Sequence, residues 1–213
     1  MTETNRLEAF SDGVMAIAIT LLVLDLSVPV RGELGRNESP GRALAQMWPS
    51  YAAYVVSFLV IGIIWMNHHA LFGLIARTDR LTLFINLLLL MVVSVIPFPT
   101  RLLAQYLTAG GSQAHVAAAV YSATMLVMAV AFSALYVTAT RHPQMLQPWV
   151  DYASVRRAVP RFSLGVGVYA ITVVIAFVSA PLTLATHFAL AVYYLFDQTG
   201  SVASEPDAGA EAA

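Results

Sequence analysis

The side chains best placed to do chemistry sit close to the start of the chain, in Arg6-Leu7-Glu8-Ala9-Phe10-Ser11-Asp12-Gly13 and the apolar run that follows as far as Asp25. Asp12 and Asp25 are the only acids between Ala9 and Ser27. An ionised carboxylate in or beside hydrocarbon turns toward protein or water, because burying a lone charge is costly. Two readings of Ser11 and Asp12 are open. They cap a helix that begins near an interface, or they belong to a packed hydrogen-bonded network. At 100° per residue, Phe10, Ile17, Leu21 and Leu24 fall within about 40° of one line. Asp12 lies nearly opposite, with Ala16, Ile19 and Val23. Asp12 therefore marks one packed face, and the Ile17 stripe looks toward lipid, a neighbouring helix or a pore axis.

Other candidates carry less. Trp65 precedes the pair His68-His69, but no second histidine or carboxylate stands at metal-ligand spacing, so no metal site is expected. A network joining Arg6, Ser11, Asp12, Trp65 and His68 or His69 at one end of the protein is the better reading. Gly165-Val166-Gly167-Val168-Tyr169 echoes a carbonyl filter. It lies inside a continuous apolar run, where glycines let helices pack closely. With no cysteine, disulfides, thiolate catalysis and iron–sulfur ligation are all absent. No Gly-x-Ser-x-Gly or His-Glu-x-x-His occurs, so an enzyme is not expected.

The elements that hold these residues follow from composition. The chain has 213 residues, 59% hydrophobic and 11% charged, against about 25% charged in ordinary globular proteins. No charged side chain occurs between Arg42 and Arg77, Arg80 and Arg101, Arg101 and Arg141, or Arg161 and Asp197. A helical crossing needs about 20 apolar residues. This is an all-α membrane protein with six expected spans, and a soluble enzyme, a nucleic-acid-binding module and a secreted disulfide scaffold are excluded.

The spans are expected near 8–28, 43–67, 81–103, 114–140, 162–180 and 182–197, with Pro49 near the start of the second as either a kink or a first-turn residue and Pro97-Phe98-Pro99 bending or breaking the third. Polar connections are expected at 31–42, 68–79 and 141–161, the second of them partly helical. Residues 1–197 form one transmembrane domain, and the acidic 198–213 reads as a disordered tail. With the N-terminus inside, seven arginines fall on the cytoplasmic side (Arg6, Arg77, Arg80, Arg141, Arg156, Arg157, Arg161) and four outside (Arg31, Arg36, Arg42, Arg101). The positive-inside rule then puts both termini in the cytoplasm. Arg101 reads as a snorkelling residue at the interface.

Arg6-x-x-x-Phe10-Ser11-Asp12-Gly13 followed by Ala16-Ile17-Ala18-Ile19-Thr20-Leu21-Leu22-Val23-Leu24-Asp25 resembles the signature first helix of the transmembrane protein 175 family of potassium channels. Trp65-Met66-Asn67-His68-His69 and Leu87 to Pro97-Phe98-Pro99-Thr100 add to the likeness. The resemblance implies a single-repeat bacterial type in the cell's inner membrane. It would be a homotetramer in the lipid bilayer whose first helices line a central pore, with potassium ions as the permeant species and no cofactor or nucleic acid. It also implies a constriction at Ile17, further pore layers at Thr20, Leu21 and Leu24, and structural roles for Arg6, Phe10, Ser11 and Asp12. Asp25 would stand at the outer mouth, gathering cations, or would only cap.

The rival functions are a proton-coupled or small-solute secondary transporter and an intramembrane enzyme. A transporter of this size calls for inverted internal repeats and polar groups at mid-membrane. No similarity between 1–105 and 106–213 is evident, and spans two to six lack mid-membrane acids.

Overall fold

The computed structural model describes residues 4–27 and 39–197, except the side chains of 161–164 and 196–197. The described residues form eight α-helices: α1 (Thr4–Leu21), α2 (Pro40–Gln46), α3 (Trp48–Leu74), α4 (Arg80–Val95), α5 (Pro97–Tyr106), α6 (Gly111–Ala139), α7 (Tyr152–Ala176) and α8 (Ala180–Asp197). Short 3₁₀ turns cover Leu22–Asp25 and Pro143–Met145. Among the described residues, five stretches are long and apolar enough to cross a membrane: Thr4–Asp25, α3, Arg80–Tyr106, α6 and α7. The apolar part of α8, Ala180–Leu195, is shorter. This is the all-α membrane architecture expected from the charge-free gaps.

Several boundaries differ from expectation. The second span is not one helix from 43 but the short α2 followed by α3. Pro49 stands in the first turn of α3 and does not kink it, since the missing N–H there has no intrahelical partner to lose. α3 runs on through His68 and His69 to Leu74, so both histidines are helical. The segment expected to be a polar connection up to Arg161 is helical from Tyr152. Asp151 caps it by accepting from the N–H groups of Ala153 and Ser154, and Pro160 is carried within the helix. The loop residues Pro29, Arg31, Glu33, Arg36 and Glu38, and the 198–213 tail, lie outside the described residues.

The break at Pro97 has a local cause. Pro97 and Pro99 supply no N–H, so α4 ends at Val95 and α5 restarts at Pro97. Thr100 repairs the junction: its N–H and its hydroxyl both donate to the Ile96 carbonyl, at 3.1 and 2.8 Å.

α6 is the central post, packed on α4, α5, α7 and α8. Ala114, Ala117, Ala118, Ala129 and Ala139 are buried along it, and small residues let helix backbones approach where no hydrophobic effect drives them together. Tyr121, Met125, Met128 and Leu135 fill the spaces between and meet Ile61, Leu89, Val93 and Leu103 in one core. At the end of the bundle away from Pro97, two connections clasp each other. Ala76 N–H donates to Met145 O at 2.8 Å, Gln147 N–H to Leu74 O at 2.9 Å, and Arg141 bonds Asp79.

Candidate pore-lining helix and its anchoring network

α1 packs against α3 and α4 along a seam of Ser11, Met15, Ala18 and Leu22, all buried. The 4-3-4 spacing of these residues is the repeat of one helix face. Asp12 is therefore not the centre of the packed face, as the helical wheel suggested. It sits half-exposed at one edge of the seam, next to Ile19 on the wheel. Apolar bulk and a small serine decide which face packs, and the acid reaches its partner from the side.

The other stripe is bare. Phe10 is 54% exposed, Ile17 61%, Leu21 41% and Leu24 73%. Leu24 stays in line with Leu21 because Leu22–Asp25 tightens into a 3₁₀ turn, in which residues three apart eclipse. A row of large aliphatic side chains thus runs the length of the span, about 100–120° around the helix from the buried seam. Thr20 is exposed on this side of the helix. Its hydroxyl proton goes to the carbonyls of Ala16 and Ile17, at 3.0 and 2.9 Å, so its oxygen lone pairs remain free to face outward.

Two layers of polar contacts set the rotation of α1. The inner layer is a directed chain. Ser11 has a single proton and donates it to the Leu7 carbonyl at 2.8 Å, and Asn86 Nδ2 on α4 donates to Ser11 Oγ at 3.0 Å. Asn86 Oδ1 must then accept, so His68 Nε2 on α3 carries the proton across their 2.8 Å contact. All three side chains are buried. The His68 ring stacks on Phe72 with centroids 4.3 Å apart. The outer layer is exposed: Trp65 Nε1–H donates to Asp12 Oδ1 at 3.0 Å, His69 Nδ1 meets Glu8 Oε1 at 2.7 Å, and the Trp65 and His69 rings stack.

The structure thus joins Ser11, Asp12, Trp65 and both His68 and His69, and adds Asn86 and Glu8. Asn86 was overlooked in the sequence, although a lone amide in a long apolar run is itself a signal for an interhelical hydrogen bond. Arg6 and Phe10 are not brought in. Arg6 is exposed and bonds no other described residue, and Phe10 lies on the bare stripe. Asp25 is half-buried at the far end of the span, with Arg101 acting on it electrostatically. The 165–169 glycine segment is continuous helix within α7, so its carbonyls are held in helical pairing. A Cβ on Gly165 would come within 3.3 Å of the Tyr194 hydroxyl, so this glycine serves the α7–α8 contact. Among the described residues no group of three His, Cys, Asp or Glu side chains could hold a metal ion.

Residues 6–97 match the family model described as endosomal/lysosomal potassium channel TMEM175. A potassium channel of Streptomyces collinus is 55% identical over 93% of this chain and 94% of its own. The chain belongs to the TMEM175 family. The crystal structure of a lysosomal potassium-selective channel TMEM175 homolog from Chamaesiphon minutus matches with a TM-score of 0.81 at 40% identity, covering 93% of this chain and 98% of that one. An endosomal/lysosomal proton channel TMEM175 of Gallus gallus is 35% identical over 72% of this chain and 32% of its own length. The TMEM175 match at 6–97 takes in α1, α3 and α4, the three helices that the network ties together.

Proposed function

We propose that four copies of this chain assemble around α1 to form a passive cation channel that prefers potassium modestly over sodium. The observation that carries this reading is the bare Ile17–Leu21–Leu24 row on a helix whose rotation is fixed by buried hydrogen bonds. The names of the bacterial relatives support it. One α1 cannot enclose a path, and closed rotational symmetry is the ordinary way for a chain to repeat such a surface around an axis.

Moving a bare ion into hydrocarbon costs tens of kcal/mol, so the path must hold water or oxygens. Four Ile17 side chains supply no oxygen. A ring of them gates by excluding water, and it passes an ion only when open enough for hydration to persist. Such a filter favours the cation that loses water more readily, which gives potassium a modest advantage. The outward lone pairs of Thr20, one turn further on, can replace part of a hydration shell. Leu21 and Leu24 extend the apolar lining. Arginine asymmetry supports both termini on the cytoplasmic side of the inner membrane.

Vertebrate relatives are named proton channels. The Ile17 row carries no titratable group to relay protons, which favours potassium as the permeant ion here. In liposomes loaded with potassium salt, the purified protein should carry passive potassium current that follows the potential. Uptake that saturates and depends on a proton gradient would instead establish a secondary transporter.

A further inference from the structure

Away from α1, a cavity of about 370 Å³ lies among α3, α6, α7 and α8. That falls within the ordinary size range of small-molecule sites. Its α3 wall runs from Val60 to Leu74, which at about 1.5 Å per residue is about 21 Å. The opposite wall is the α7 face of Val155, Ala158, Gly165 and Tyr169, with Phe132 and Ala129 of α6 behind. α7 packs on α6 and α8, and the slot is the gap left toward α3. It is long, mainly apolar, and parallel to spans that cross the membrane. One leaflet of hydrocarbon is about 15 Å deep, so the slot reaches from one interface to the region of the midplane.

The interfacial end is polar. Asp151, Ser154 and Trp149 line it, and Asn67 adds a polar group midway along the α3 wall. Asp151 Oδ2 accepts from the Ser154 hydroxyl at 2.7 Å and from its N–H at 3.1 Å, and Arg157 donates to Ser154 Oγ at 3.0 Å. These Ser154 bonds, with the Ala153 N–H, hold the Asp151 carboxyl below the usual carboxylate range. Arg157 Nη2 stands 3.7 Å from Asp151, and both side chains remain largely open to solvent. Asp151 lines the mouth, and Arg157, outside the cavity lining, stands beside it as the neighbouring positive group.

We propose that this slot holds one acyl chain of a membrane phospholipid whose headgroup is a zwitterion with a primary ammonium, the ammonium at Asp151 and the phosphate at Arg157. An anionic headgroup alone would face the Asp151 carboxylate, and a cationic one the Arg157 guanidinium. A primary ammonium brings N–H donors that the acceptor-only carboxylate can use, which a quaternary ammonium lacks. The site is independent of the conducting path.

The test is lipid counting on protein extracted in mild detergent, with lipids quantified per chain by mass spectrometry. Phosphatidylethanolamine should remain near one per chain. Ala70→Phe on α3 and Ala158→Phe on α7 fill the slot from opposite walls and should each lower retention about tenfold. Val174→Phe, on the exposed outer surface of α7, should retain it. A second readout does not depend on the filled variants folding. Phosphatidylethanolamine brominated in mid-chain should quench the fluorescence difference between wild type and Trp149→Phe more strongly than brominated phosphatidylglycerol does. Lipid retained unchanged by both folded variants, no retained lipid in wild type, or equal quenching by the two headgroups would each overturn the proposal.

Discussion

The indole N–H of Trp65 reaches from α3 to Asp12 of α1 across 3.0 Å, and one residue earlier on α1 Ser11 is held from α4 by Asn86 at the same distance. Consecutive residues of one helix are thus fixed from two neighbouring helices. Any rotation of α1 that moves Ile17 away from its bare position must break one of these bonds.

The two bonds differ in environment, and substitutions should report it. Asp12→Ala removes a charged hydrogen bond of about 1.5–3 kcal/mol. Trp65 is itself partly exposed, so its freed N–H regains water and the loss should fall near the lower figure. Thermal melting in detergent, run as a cycle with Trp65→Phe, should give non-additive losses. Additive losses would mean that the contact contributes nothing of its own.

Asn86→Leu should be worse. It strands a buried Ser11 oxygen and a buried His68 N–H together, and each unsatisfied group costs about 1–3 kcal/mol. A loss of melting stability larger than that of Asp12→Ala is expected. A smaller loss would show that the inner chain does not hold α1.

This network was only half legible in the sequence. Ser11, Asp12, Trp65 and His68 stand out as polar residues clustered near span ends, where polarity is visible against the apolar run. Asn86 is a single amide in the middle of Leu83–Leu90, and its partners lie on two other helices at separations no local pattern encodes. Span positions followed from the charge-free gaps, but the helix starts did not. Residues 152–161 are rich in arginine and end near Pro160, so they read as a connection. They are helical because Asp151 caps them and one face packs inward at Val155. Asp12 stands at the edge of the packed face, not its centre, because burial of Met15, Ala18 and Leu22 rather than the acid decides which side of α1 packs.

Acid should loosen the clasp between the two connections. Asp79 has its carboxyl held below the ordinary value of 3.8, first by the Thr82 N–H and further by Arg141. A carboxylate depressed in the folded state contributes stability above its unfolded pKa and loses it as pH falls through the folded value. Melting should therefore fall below about pH 4. Asp79→Ala should flatten that dependence and cost about 1 kcal/mol through the lost cap. An unchanged acid limb in Asp79→Ala would remove Asp79 as its source.

Assembly is open to direct weighing. Native mass spectrometry of the detergent-released protein should find four chains of 23.0 kDa each. A stable monomer in membranes, found by cross-linking, would leave the Ile17 row facing lipid.

The most direct measurement compares ion selectivity in Ile17→Asn and Ile19→Asn under a bi-ionic potassium–sodium gradient. Ile17 is on the bare row and Ile19 is packed against the core, about 160° away by helical spacing. An amide ring at Ile17 should admit water, raise cation current and bring the reversal potential toward zero. Ile19→Asn should lower yield or melting and leave the reversal potential of the remaining channels where it was. A shift produced by Ile19→Asn and not by Ile17→Asn would put the pore on the other face of α1 and contradict the account.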